Sequence, residues 1–163
     1  MPSILQPTWA AQLITAQVTT TSNSAASAVI RIPQMETYLF VLDVTTLTGT
    51  ATTLDVWLGI SPASTLGTPA LTSSVWHYVE HFTQAATAVG TWGLRMQPTM
   101  GRGEAASGFL AAGSATTWTT SATAVANNLP LTPDIRFFWV PNSQTNYVFS
   151  IYAYGYAKAD ASY

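Results

Sequence analysis

Thr37-Tyr38-Leu39-Phe40-Val41-Leu42-Asp43-Val44-Thr45-Thr46-Leu47 is the stretch that decides the fold. Tyr38, Phe40, Leu42 and Val44 fall on one side of an extended chain and Thr37, Asp43 and Thr45 on the other, which is the period of two of a half-buried β-strand. Thr52 to Ile60 repeats the pattern, with Leu54, Val56, Leu58 and Ile60 as its apolar set. The short Thr48-Gly49-Thr50-Ala51 interruption predicts that the two runs close as an antiparallel hairpin.

Working outward, Ile14, Ala16 and Val18 mark an earlier strand, and Ala28, Ile30 and Ile32 another. Thr20 to Ser24 links them, and the four strands read as a meander. After a Ser/Pro/Gly/Thr-rich loop from Ser61 to Ser74, strands are expected over Val75–Thr83, Trp92–Met96, Thr116–Ala126, Asp134–Val140 and Thr145–Lys158. The Pro141-Asn142-Ser143-Gln144 turn predicts that Ile135, Phe137 and Trp139 pair with Tyr147, Phe149 and Ile151. Between Gln97 and Gly113 the pattern lapses: Met100 to Glu104 reads as a loop, and Ala105 to Ala112 as a short helix or more loop. About nine strands without a sustained helical period argue for an all-β, two-sheet antiparallel sandwich, jelly-roll-like. The expected organisation is an N-terminal arm over residues 1–10, one sandwich domain over 11–158 and a tail over 159–163.

Composition narrows the class of function. Only 7% of the residues are charged, against about 25% in an ordinary soluble domain, so much of the surface is expected to be covered in an assembly. Five Lys and Arg, scattered at Arg31, Arg95, Arg102, Arg136 and Lys158, give no clustered positive surface for a phosphate backbone, so nucleic acid is not an expected partner. There is no cysteine, which removes disulfides, thiolate metal sites and thiol nucleophiles. Met1 to Ile30 carries no charged side chain, yet Gln, Thr, Ser and Asn interrupt it throughout, and no export signal is visible. Neither is there an unbroken apolar window for a spanning helix, and no membrane association is expected.

Two constellations invite a chemical reading. His77-Tyr78-Val79-Glu80-His81 fits H-x-x-E-H, a zinc hydrolase pattern whose histidines meet only on a helix. The segment is dense in β-branched and aromatic residues, and on a strand those histidines stand about 13 Å apart, too far to share one ion. Asp43 and Asp55 would face each other in a hairpin centred on Gly49, where a calcium ion is conceivable. Solvated carboxylates are the simpler account, since no Asp-rich loop supplies the six to eight oxygens calcium takes. No G-x-S-x-G elbow is present. The chain is therefore expected not to be an enzyme and to need no cofactor or metal.

The aromatics point elsewhere. On alternation Trp92 and Trp139 belong to the core, whereas Trp57 shares its side with Thr53 and Asp55, and Trp118 lies in a Thr-rich strand. Exposed aromatics stack on sugars or anchor protein interfaces. Tyr152, Tyr154 and Tyr156 form a stripe that raises the same question. Ile4, Leu5 and Trp9 make the N-terminal segment apolar, which suits an arm ordered by a neighbour. Ile4, Leu5, Trp9, Trp57 and Trp118 are the candidate assembly contacts.

Leu54-Asp55-Val56-Trp57-Leu58, then Ser61-Pro62, Trp76 and Phe82-Thr83-Gln84, followed by Leu131, Ile135-Arg136-Phe137-Phe138-Trp139-Val140 and Tyr147-Val148-Phe149-Ser150-Ile151, resemble a pattern in small structural proteins encoded with tailed-phage head genes. The resemblance runs from Leu54 to Lys158. It implies a capsid decoration or cement protein on the outer surface of the virion head, made in the host cytoplasm. Its implied partners are copies of itself, as a trimer, and the major capsid protein, whose neighbouring capsomers it would bridge. The competing reading is a carbohydrate- or receptor-binding module of a phage tail or fibre, with Trp57 or Trp118 as its platform.

Overall fold

The computed structural model describes residues 7–19, 25–49, 53–61, 63–65, 67–71, 76–82, 85–86, 89–96, 131–141 and 146–157. The strands are β1 (Trp9–Thr19), β2 (Ala25–Ala26), β3 (Ile30–Arg31), β4 (Thr37–Thr48), β5 (Thr53–Ile60), β6 (His77–His81), β7 (Ala85–Ala86), β8 (Gly90–Met96), β9 (Asp134–Pro141) and β10 (Asn146–Tyr156). Among the described residues there is no helix. The strands expected over Val75–Thr83 and Trp92–Met96 are present in their described parts. The strand expected over Thr116–Ala126, the helix or loop over Ala105–Ala112 and the tail over 159–163 lie outside the described residues.

Two antiparallel sheets form a sandwich, the first in the order β1-β10-β4-β8 and the second in the order β2-β9-β5-β6, with β3 also on β9 and β7 also on β5. Because β2 and β3 run along one partner, as do β6 and β7, each couple acts as one interrupted strand. The pairs β1 with β10, β2 and β3 with β9, β4 with β8, and β5 with β6 and β7 are then nested. A single long hairpin rolled over on itself gives this order, which is the jelly roll.

Three expected pairings are corrected by it. Residues 9–60 do not form a meander, β4 and β5 do not form a hairpin, and β9 does not pair with β10. Period-two alternation fixes which side of a strand faces inward but not which strand lies beside it. In each case the chain crosses from one sheet to the other, so the apolar sets meet face to face across the core. Phe40 of β4 meets Phe137 of β9 edge-on with centroids 5.8 Å apart, and Trp139 of β9 meets Phe149 of β10 at 5.5 Å. Tyr38, Phe40, Leu42, Val44, Leu54, Val56, Leu58 and Ile60 are all buried, as the alternation predicts. Each such burial contributes about 1.5–3 kcal/mol.

The first strand is irregular. Its register against β10 shifts between Gln12 and Ile14 and again between Ile14 and Gln17, and Ala16 takes a left-handed φ of 42°. The Ser150 hydroxyl accepts the Ala16 N–H at 3.0 Å, satisfying the amide that the shifted ladder leaves over. A side chain costs about 1–2 kcal/mol in this region, partly offset by the chain entropy a glycine adds. Ala16→Gly is expected to raise stability by about 0.5 kcal/mol and Ala16→Val to lower it by about 1 kcal/mol or more. A urea titration that ranks them the other way would contradict the strain.

Candidate functional site

The outer side of the second sheet is closed by its own chain. Trp57, Ala70, Trp76, Phe138 and Val140 form a second buried cluster, with Ala26 and Val29 packed against it. Gly59 lets Phe138 lie flat there, since a Cβ would stand 2.5 Å from its ring. The Arg136 guanidinium lies 5.4 Å from the Trp76 ring and 5.2 Å from the Phe138 ring, and its Nε donates to the Ser27 carbonyl at 3.0 Å. Ser64 and Ala70 are held down by the buried Asp134. Its carboxylate accepts Arg31 Nε at 2.8 Å and Arg31 Nη2 at 3.0 Å, the Ser64 hydroxyl at 2.9 Å and the Ala70 N–H at 2.6 Å. Burial pushes this carboxyl up, but the hydrogen bonds from Arg31, Ala70 and Ser64 and the charge of Arg31 hold it below its ordinary value of 3.8.

The outer side of the first sheet is different. Cross-strand register sets Ala10, Tyr154, Leu39 and Arg95 in one row and Gln12, Tyr152, Val41 and Gly93 in the next. Ser150, Asp43 and Thr91 follow on one side, and Tyr156 with Thr37 on the other. Leu39, Val41, Tyr152, Tyr154 and Tyr156 are half-buried, while Gly93 and Arg95 are exposed. Asp43 and Arg95 are the only charged residues in these four strands. A shallow groove bounded by Thr37, Leu39, Arg95 and Tyr156 crosses one end. The face is therefore aromatic and nearly uncharged over these four strands. Such a face meets the description of a protein-interface core better than that of a solvated sheet.

Of the candidate assembly contacts, Ile4, Leu5 and Trp118 lie outside the described residues. Trp57 is 7% exposed, so the expectation that it faces solvent is corrected. It is outward-facing on β5 but roofed by the second cluster, and the His81 ring stacks on it at 4.8 Å. Trp9 is half-buried, belongs to β1 and meets the Tyr38 ring edge-on at 6.3 Å. Residues 9 and 10 are thus part of the sandwich rather than of an arm. The signal that sequence reasoning passed over is β4 itself: Leu39 and Val41 make its supposedly polar side apolar as well.

The chemical constellations do not assemble. His77 and His81 stand on strand β6, and no group of three His, Cys, Asp or Glu side chains gathers among the described residues. Asp43 and Asp55 belong to different sheets, which corrects their expected juxtaposition. Asp43 accepts the Thr91 hydroxyl at 3.4 Å, and Asp55, itself buried, lies 3.2 Å from His81 Nε2.

Among the described residues, the jelly-roll sandwich is closed over the outer side of its second sheet and leaves the outer side of its first half-buried, which defines the class of molecule as far as architecture goes. No protein-family model, curated protein or solved structure matches the chain.

Proposed function

We propose that this chain is a virion structural protein that decorates a tailed-phage capsid as a homo-oligomer and stabilises it by bridging neighbouring capsomers. The observation that carries the reading is the aromatic outer face of the first sheet, which the described residues leave half-buried, whereas they cover the second sheet on both sides. Low charge and the resemblance over Leu54 to Lys158 support the shell as the surface against which the protein works. Its action is mechanical: repeated contacts across capsomers add avidity and raise the barrier to rupture.

The test is co-sedimentation with undecorated phage heads. Wild-type protein is expected to pellet in fixed proportion to shell subunits, with little dependence on salt because the contacts are mainly apolar. Tyr152→Ser with Tyr154→Ser is expected to reduce bound protein about tenfold or more, at a cost of about 1–2 kcal/mol in stability that leaves the sandwich folded. Heads that pellet without the wild-type protein would refute the decoration role. The sugar-binding alternative has lost Trp57 as a platform, since that ring is buried.

A further inference from the structure

The occupant of the open face can be read from where its two charges stand. Arg95 lies beside Leu39, in the row of Tyr154, and Asp43 lies four residues further along β4, beside Thr91. That separation is about 13 Å along the strand direction. Midway between them runs the row of Gln12, Tyr152, Val41 and Gly93, which carries no charge. A two-fold axis lying across the strands over this middle row exchanges the Arg95 row of one copy with the Asp43 row of the other. Each guanidinium then sits above the other copy's Thr91, one strand spacing of about 4.8 Å from Asp43, and within reach across sheets packed about 10 Å apart.

Resting on the assembly reading above, we infer that the outer face of the first sheet is a self-complementary interface that pairs two copies of this chain. Two reciprocal Arg95–Asp43 ion pairs flank a centre of Val41, Tyr152 and Gly93. The unit is therefore a two-fold pair, in place of the three-fold one that the resemblance implies. Both charges are used and neither is left opposite its like, which is what an isologous patch requires. A foreign surface would have to supply a charge of each sign at the same spacing to do as well.

Size sets the strength. Four strands at about 4.8 Å and six residues at about 3.3 Å give a face of roughly 19 by 20 Å, or about 400 Å² of projected area per copy. A standard interface uses about 800 Å² per partner. The pair is accordingly weak in dilute solution, with a dissociation constant in the micromolar range, and becomes permanent when a shell holds many copies side by side.

Sedimentation velocity of the purified protein alone, from about 1 to about 100 μM, tests this without phage heads. Wild type is expected to pass from monomer to dimer. Arg95→Asp and Asp43→Arg should each weaken pairing about tenfold or more through like-charge contacts, and the double reversal should restore it to within about threefold. Gly93→Lys should abolish it by filling the centre, because Gly93 is exposed and a Cβ there makes only an ordinary contact with Leu39. A monomer throughout the range, a dimer indifferent to all four variants, or charge reversals that the double variant does not rescue would overturn the inference. So would rescue that yields open-ended oligomers, since those require a head-to-tail contact. Binding to heads by a strictly monomeric protein would overturn the pairing and leave the decoration role intact. A rescued dimer that ignores heads would do the reverse.

Discussion

Phe137→Ala is expected to lower the unfolding free energy by about 4 kcal/mol, in the range found when a fully buried phenylalanine is truncated. Phe137 is 0% exposed and stands where the two sheets and a connection meet. Its ring meets Phe40 of the first sheet at 5.8 Å and Phe82, just after β6, at 6.5 Å. Removing it leaves a void bordered by the Phe40 ring, held by the ladders of β4, and the Phe82 ring, whose amide is tied to the Val56 carbonyl at 3.0 Å, so neither moves in freely to fill it. A domain of this size has about 5–15 kcal/mol in all, so the variant is expected near the edge of folding. The check is the urea midpoint, with Phe137→Leu as a milder companion. A loss below about 1 kcal/mol for the alanine variant would mean that the sandwich is not packed around this ring.

Asp134→Ala is expected to cost about 3 kcal/mol, by a different route. The carboxylate is 1% exposed and accepts hydrogen bonds from Arg31, Ser64 and the Ala70 N–H. With it gone, the Ala70 amide and the Ser64 hydroxyl stay buried without their acceptor, and residues around 61–71 lose the anchor that seats them over Trp57 and Phe138. Because the folded pKa lies below the ordinary value of 3.8, the stabilisation is complete above about pH 4. It is lost as pH falls further through the folded value. Wild type should therefore lose stability on acidification below about pH 4 more steeply than Asp134→Asn. Parallel acid titrations of the two would show that the carboxylate is not the anchor.

The inward side of β4, β5, β9 and β10 could be read from the residues, because a period of two needs only local information, whereas in β1 the register shifts leave Ala16 and Val18 exposed beside the buried Ile14. Tyr38, Phe40, Leu42 and Val44 needed no partner to be recognised as core. Sheet partnership was not legible, since the strands beside Val44 are supplied by Phe149 on one side and Gly90 on the other, both far downstream in the chain. Turn-like stretches such as Pro141 to Gln144 suggested hairpins, whereas β9 and β10 lie in different sheets. The candidate surface was half legible. The Tyr152, Tyr154 and Tyr156 stripe stood out, but whether an aromatic side is roofed depends on what a distant loop does. Trp57 is buried in a cluster with Ala70 and Trp76, whereas Tyr152 is only half-buried.

The nesting of the strands also orders events during synthesis. In both sheets the strand between the early ones comes last: β9 lies between β2 and β5, and β10 between β1 and β4. Until β10 leaves the ribosome, β1 and β4 lack the strand that joins them, and the edges it would pair face the surrounding solution. Contacts this distant in sequence form slowly, and uncapped edges recruit other chains. Expression at lower temperature, where hydrophobic association between incomplete chains is weaker, is the condition under which this topology should yield the most native protein.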